Sequence, residues 1–296
     1  MSPIAFLKQY YQFPFRNEIQ GAANLCLYKF VTKLMGVSYK VRHIIKVRKS
    51  WAKVKKIKAI IKNARKSVFV FANGPSLNDI DLSKIKALMA SGAYDLIAIN
   101  SFLSKSAAEI LPTFAVFADN LHFEKKLRND QYQNDINVCL ENSVECFVPF
   151  QHFENQNDNH IGYNSFCEIY SSNTSDMFSS PGFYGLTALH ALRIAKHLGY
   201  VNIYMCGFDN SYFKDFDVKE SGEMIIRHRH YYDAASADIE VPCLYKSTSE
   251  FFFDAYRHFK YIEKITENSK NIINVSLKTF ISSVGRETKL DIYKKP

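Results

Sequence analysis

The sequence predicts an α/β fold built on a doubly wound, mostly parallel sheet, and three observations predict it. Short apolar runs rich in β-branched and aromatic residues recur along the chain. Helical patterns alternate with them at βαβ spacing. Polar residues cluster just after the runs end. Of the 296 residues 47% are hydrophobic and the mean hydropathy is -0.19, so a core can form and a disordered chain is excluded.

The first 66 residues read as a basic helical extension. Residues 20–36 carry apolar side chains at helical spacing. Residues 41–63 set Val41, Ile44, Ile45, Trp51, Val54, Ile57, Ile60 and Ile61 between cations. From Lys40 to Lys66 there is no Asp or Glu, in a chain of formal net charge +9. This pattern suits a helix lying on an anionic bilayer. A helical hairpin packed on the rest of the protein and contact with another polyanion are the alternatives. No apolar stretch approaches the ~20 residues of a membrane span, and none reads as a signal peptide. Six cysteines show no C-x-x-C pair and no zinc spacing, which points to a reducing compartment. The expected location is cytoplasmic and peripheral, at the inner face of the inner membrane.

The larger domain follows, over residues 67–296. Residues 67–72 (SVFVFA) read as a buried parallel strand, and 80–89 as a helix after a Gly-Pro turn. Further strands are expected at 94–99, 113–117, 137–140, 145–148, 201–206 and 271–275. Further helices are expected at 101–110, 122–128, 182–198 and 248–266. Gly199 suits the left-handed position that ends a helix. Segments 150–181 and 210–247 are polar and weakly periodic, and read as insertions that act as lids or bind an acceptor. Asn73, Asn100, Asp119, Asn120 and Asp209 all fall just past strand ends, where ligands bind a Rossmann-like sheet.

Two stretches carry chemistry. In Asn73-Gly74-Pro75-Ser76-Leu77, Gly74 allows close backbone approach, Pro75 sets the turn, and Ser76 offers a hydroxyl and an amide to a phosphate. The loop is neither a P-loop nor G-x-G-x-x-G, and as bare physics it is also a common turn. In Arg227-His228-Arg229-His230-Tyr231-Tyr232-Asp233, a histidine can take a proton from a hydroxyl. Arg227 and Arg229 suit a phosphate or carboxylate and would keep a neighbouring imidazole neutral. A solvated polar loop and a metal site are the alternatives there. Asp215-Phe216-Asp217 has the letters of a metal triplet but lies in a polar insertion, so no metal is expected.

The text Ala72-Asn73-Gly74-Pro75-Ser76-Leu77 resembles the G-N-G-P-S-L loop of bacterial lipooligosaccharide sialyltransferases, which use CMP-sialic acid. Asn100 matches the family's donor-contacting Asn at the next strand end. Ala115-Val116-Phe117 is followed by Ala118-Asp119-Asn120, so Asp119 or Asn120 matches the next one. Ser180-Pro181-Gly182-Phe183-Tyr184, then Leu198-Gly199-Tyr200, then Cys206-Gly207-Phe208-Asp209 continue the family's order, and the similarity spans about residues 67–265. Two positions depart from it. Phe178 falls near the family's donor-holding Arg, and Pro181 replaces the Ser of T-S-G. The donor therefore stays open among sialic acid, Kdo and related ulosonic acids, or a different nucleotide sugar. A weaker similarity links the G-P-S-L loop and the G-x-D turn to the MptE-like pterin pyrophosphokinase and flagellin glycosylation-factor group.

The resemblance implies a glycosyltransferase that moves a sugar from a CMP-linked donor to a hydroxyl of a cell-surface or lipid-linked glycan. It implies His230, or else His228, as general base, and Tyr212, Tyr231 or Tyr232 as hydrogen-bond donors to the leaving phosphate. The donor would lie among the Asn73–Leu77 loop, Asn100, Asp119 or Asn120, Ser180, Gly182, Gly207, Asp209, Arg227 and Arg229. No cofactor, metal or nucleic acid is expected, and a homo-oligomer is compatible. The rival expectations are a pyrophosphokinase-type phosphotransferase and a non-catalytic polyanion-binding protein.

Overall fold

The computed structural model describes residues 18–106, 110–119, 122–123, 130–154, 158–167, 174–182, 186–228, 239–243, 245, 247–267, 269–287 and 289–292. Two helices lead, α1 (Glu18–Arg42) and α2 (Ile44–Ala64). The core then runs β1 (Ser67–Phe71), α3 (Leu82–Ala90), β2 (Tyr94–Ile99), α4 (Phe102–Ser106), β3 (Phe114–Val116), α5 (Asp130–Glu141), β4 (Glu145–Pro149) and β5 (His160–Tyr163). It continues with α6 (Thr187–Leu198), β6 (Ile203–Cys206), β7 (Phe216–Val218), β8 (Met224–His228), β9 (Ile239–Pro242), α7 (Thr248–Thr266), β10 (Ile272–Asn274) and β11 (Gly285–Arg286).

The main sheet has eight strands in the order β11-β10-β6-β1-β2-β3-β4-β5, and its neighbouring strands all pair in parallel. From β1 the chain adds strands outward to β5, then crosses back and builds β6 on the other flank of β1. That reversal makes the C-terminal ends of β1 and β6 the switch point of a doubly wound α/β sheet. Alternation along β1 explains its apolar run. Val68 and Val70 join the core under α2, α6 and α7, while Phe69 and Phe71 join the core under α3 and α4. All four are fully buried, each worth about 1.5–3 kcal/mol against exposure. At the other end of the strands a buried polar knot ties three elements. Lys66 Nζ lies 2.8 Å from Asp95 Oδ1, and the Tyr200 hydroxyl donates to Asp95 Oδ2 at 2.8 Å.

Several boundaries differ from the expected ones, each for a local reason. Residues 137–140 are helical. They end α5, whose Asp135 and Cys139, four apart, share its buried face, so the short apolar run is one turn of an amphipathic helix. The first helix after β1 starts at Leu82 because the Asp81 side chain accepts from Ser83 N and Lys84 N. Ahead of it, Pro75–Asp79 is a 3-10 turn. The helix expected at 101–110 is α4, ending at Ser106, and Ile110 lies outside it. His122 forms a 3-10 turn, and 124–128 lie outside the described residues. Gly199 does end α6 in the left-handed region, at φ 85°.

Neither insertion is merely a loop. Segment 150–181 contributes β5, the edge strand of the main sheet. Its later part is tied to α6 by Arg193, 1% exposed, which donates to the carbonyls of Asn164 (2.9 Å), Asp176 (3.1 Å) and Ser179. The described residues of segment 210–247 include an antiparallel sheet, β7-β8-β9. The basic extension also joins the body. Val54 and Ile61 of α2 are buried in the main core, and Gly162 N of β5 donates to Ser50 Oγ at 2.7 Å. Lys46 Nζ reaches the Phe150 carbonyl at 2.8 Å, and Lys53 pairs with Glu145 at 2.6 Å. Among the described residues no helix is long and apolar enough to cross a membrane.

Candidate nucleotide site at the sheet switch point

The β1 and β6 loops close directly on each other. Gly74 N donates to Gly207 O at 3.1 Å, and Ala72 N to Cys206 O at 2.9 Å. A Cβ on Gly74 would stand 2.4 Å from Gly207 O and 2.6 Å from Asp209 Oδ2, so the pair of loops requires glycine there. Gly207 sits at φ 69°, where its own Cβ would stand 2.4 Å from Ala72 O.

Asp209 finishes this closure. Its buried carboxylate accepts from Ser76 N at 2.8 Å and from the Ser76 hydroxyl. Burial pushes the Asp209 carboxyl above its ordinary value, against the two Ser76 hydrogen bonds that favour the anion. The sequence offers Ser76's amide and hydroxyl to a phosphate, but in the fold both go to Asp209. Leu77 is core, and Pro75 is an exposed first residue of the 3-10 turn. Gly74 and Ser76 are thus satisfied from within and hold the two loops together.

What it leaves open are side chains at three strand ends. Asn73 follows β1, Asn100 follows β2, and Asn210 and Tyr212 follow β6. Asn73 Oδ1, Asn100 Oδ1, Asn210 Nδ2 and the Tyr212 hydroxyl are each buried with no partner among the described residues. Buried polar groups are ordinarily paired, and an orphan costs about 1–3 kcal/mol. Asn100 and Asn210 further sit in the left-handed region, at φ 47° and 51°. Asparagine tolerates that backbone better than most residues. Asn100 is pinned by its own N–H, which donates to Val116 O at 3.1 Å.

The Tyr212 ring packs edge-on to Phe251 (5.7 Å between centroids) and against His258 (5.2 Å), both on α7. Ser247 starts α7 by accepting from Glu250 N, a capping pattern legible in Ser-x-x-Glu. His258 Nε2 lies 3.3 Å from Asp254 Oδ2, which also accepts from the Tyr245 hydroxyl at 2.6 Å. Burial holds the His258 imidazole below its ordinary value and raises the phenols of Tyr212 and Tyr245. Of this group the sequence pointed to Tyr212 alone, and His258, Asp254 and Tyr245 were missed. For Asp254 and His258 the available signal was their i, i+4 spacing on an amphipathic helix.

The remaining expected residues are distributed as follows. Asp119 lies just past β3, next in the row of strand ends after Asn100, and its carbonyl accepts from His122 N. Ser180 is buried beside Asn164, whose Nδ2 lies 3.4 Å from its hydroxyl. Asn164 follows β5, and the neighbouring Ser179 carbonyl is held by Arg193 of α6. Gly182 is buried in the approach to α6. Arg227 is engaged on the small sheet by Asp217 (2.6 Å) and Glu240 (3.6 Å), which offsets the charge expected to serve a phosphate. His228 lies on β8 with its backbone paired to Ile239. Asn120, Arg229, His230, Tyr231 and Tyr232 lie outside the described residues. Among the described residues no cluster of three His, Cys, Asp or Glu could hold a metal.

A scan against protein-family models and a search of curated proteins found no match to this chain.

Proposed function

We propose that this chain is a glycosyltransferase that moves a sugar from a CMP-activated donor to a hydroxyl of a cell-surface or lipid-linked glycan. The donor sugar is sialic acid, Kdo or a related ulosonic acid. The observation that carries the reading is the row of buried, unpartnered polar atoms of Asn73, Asn100, Asn210 and Tyr212 around the switch point. Amide oxygens and nitrogens of this kind match the donor and acceptor edge of a pyrimidine and the hydroxyls of ribose. The ordered similarity of residues 67–265 to CMP-dependent sialyltransferases supplies the nucleotide and the reaction type.

In this reading the Gly74–Gly207 contact and the Ser76–Asp209 pair set the floor of the crevice and aim Asn73 and Asn210. Asn100, with Asp119 or Asn120, positions the nucleoside or donor sugar. The Tyr212 phenol donates to the departing phosphate oxygen as charge develops there. His258, held by Asp254, packs on the Tyr212 ring and fixes where that phenol lies. His230, with His228 as its rival, takes the proton of the acceptor hydroxyl. No metal takes part. The basic extension holds the enzyme at an anionic lipid surface on the cytoplasmic side, close to a lipid-linked acceptor.

The test is a thermal-shift series with CMP, CDP, UDP, GDP and ATP, the last with and without Mg²⁺. CMP or CDP should stabilise the protein most. A Mg²⁺-dependent response to ATP alone would point to a phosphotransferase instead. Donor turnover with CMP-sialic acid and CMP-Kdo, with and without EDTA, then tests the sugar and the metal independence.

A further inference from the structure

We propose that the outward face of the α1–α2 rod, formed by Phe30, Leu34, Val37, Val41, Ile44 and Ile45, is an in-plane anchor for an anionic lipid surface. The inference rests on the membrane reading above and relocates its apolar footprint. The sequence pattern of 41–63 mixes two faces. One of them, Val54 and Ile61, is spent on the protein core.

The two helices form one rod bent at His43, since helical hydrogen bonds run through the bend. His43 N donates to Tyr39 O at 3.2 Å, and Val47 N to His43 O at 2.9 Å. One face of the rod looks inward. Thr32, Gly36, His43, Ser50, Val54 and Ile61 are buried along it. The opposite face carries the six apolar residues at alternating spacings of four and three, with Ile45 beside Ile44, and each is 48–64% exposed. Trp51 continues the line at 54% exposure, with Lys55 Nζ 5.5 Å from its ring centroid. A soluble surface seldom keeps so long a contiguous apolar ridge without an occupant.

Charge decides which occupant. Residues 19–66 contain fourteen Lys and Arg and no Asp or Glu. Helical spacing sets Lys33, Lys40 and Lys58 along one flank of the ridge and Arg42, Lys49 and Lys56 along the other. Cations on both flanks of an apolar ridge allow the ridge to enter the acyl boundary while the long side chains reach anionic headgroups. The same spacing would suit a coiled-coil seam with a second copy. That pairing would bring two cationic ridges side by side, with no carboxylate between residues 19 and 66 to offset the repulsion.

The experiment is sedimentation of the full chain with vesicles of phosphatidylcholine alone and with about 30% phosphatidylglycerol added. Two variants are compared with the parent: Leu34→Glu/Val41→Glu on the ridge, and Lys40→Gln/Lys49→Gln/Lys56→Gln on its flanks. All five positions are exposed, so melting temperatures should be unchanged. The parent should bind only the anionic vesicles, and each variant should bind at least about tenfold more weakly. A parent that binds neither vesicle overturns both the anchor and the membrane reading. A ridge variant that binds like the parent while the flank variant is released overturns the ridge and leaves a purely electrostatic attachment. A parent that light scattering shows as a dimer, split by the ridge variant and blind to vesicles, assigns the face to a second copy. Nucleotide thermal shifts on the same samples report the donor site separately.

Discussion

The carboxylate of Asp209, at the end of β6, occupies the amide and hydroxyl of Ser76, at the end of β1, and so locks the two strands of the switch point together. A position expected to receive a phosphate from outside is filled by the chain's own anion. At the neighbouring strand ends the amides of Asn73, Asn100 and Asn210 and the Tyr212 phenol each leave a buried atom without a partner among the described residues.

Removing that lock should cost stability. Asp209→Ala leaves a buried amide and hydroxyl without an acceptor, and should lower the unfolding free energy by about 1–3 kcal/mol. Asp209→Asn keeps one carbonyl acceptor and should recover part of the loss. Urea denaturation of the three proteins checks this, and an Asp209→Ala protein as stable as the parent would show that the contact contributes little.

The closeness of the loops makes a sharper test. Gly74 has φ -70°, which any residue adopts, so its only need for glycine is space. Gly74→Ala should destabilise by about 2–3 kcal/mol through overpacking. Gly285→Ala, where a Cβ meets nothing within 4 Å, should stay within about 0.5 kcal/mol.

Tyr212 should show opposite effects on stability and rate. Its buried hydroxyl has no partner among the described residues, so Tyr212→Phe should leave the free protein as stable as before or stabilise it by up to about 1 kcal/mol. If the phenol meets the leaving phosphate, sugar transfer should fall by about 10²-fold. Melting curves and initial rates on one preparation check both halves. Full activity in the variant would remove Tyr212 from the mechanism.

His230→Ala should lower the transfer rate by about 10²–10⁴-fold, and His228→Ala by less. Full rates in both variants would rule out the 227–233 stretch as the source of the base. His258 would then be the next histidine to substitute, since Asp254 orients it beside Tyr212.

Stability should fall on mild acidification. Burial depresses the imidazoles of His160, His190 and His197 from 6.5, His197 to about 4. Below pH 6.5 the unfolded chain takes up protons that the folded chain refuses. The contribution is therefore complete above about pH 6.5 and is lost as pH falls toward 4. Urea midpoints between pH 8 and pH 5 should show this decline, shallower in His197→Gln. A midpoint constant over that range would contradict it.

The fold class was legible because a parallel strand buried on both faces needs an unbroken apolar run. Residues 68–71, 96–99 and 203–206 are such runs, and each lies in a strand. Strand ends were legible too, since Asn73, Asn100 and Asp209 stop the runs where backbone leaves the sheet. Short segments were not. Residues 137–140 fit a strand as well as a helical turn, and only packing of Cys139 beneath β3 and β4 separates the two.

The sequence by itself determined where apolar and polar residues alternate, and hence the α/β class, the row of polar strand ends and the basic extension. The tertiary structure decided which polar groups satisfy each other. Ser76 and Asp209 are 133 residues apart, and only the crossing from β5 back to β6 brings them into hydrogen-bond range. It decided likewise which apolar residues of the extension face the core, because a helix shows two faces and only a neighbouring sheet selects one.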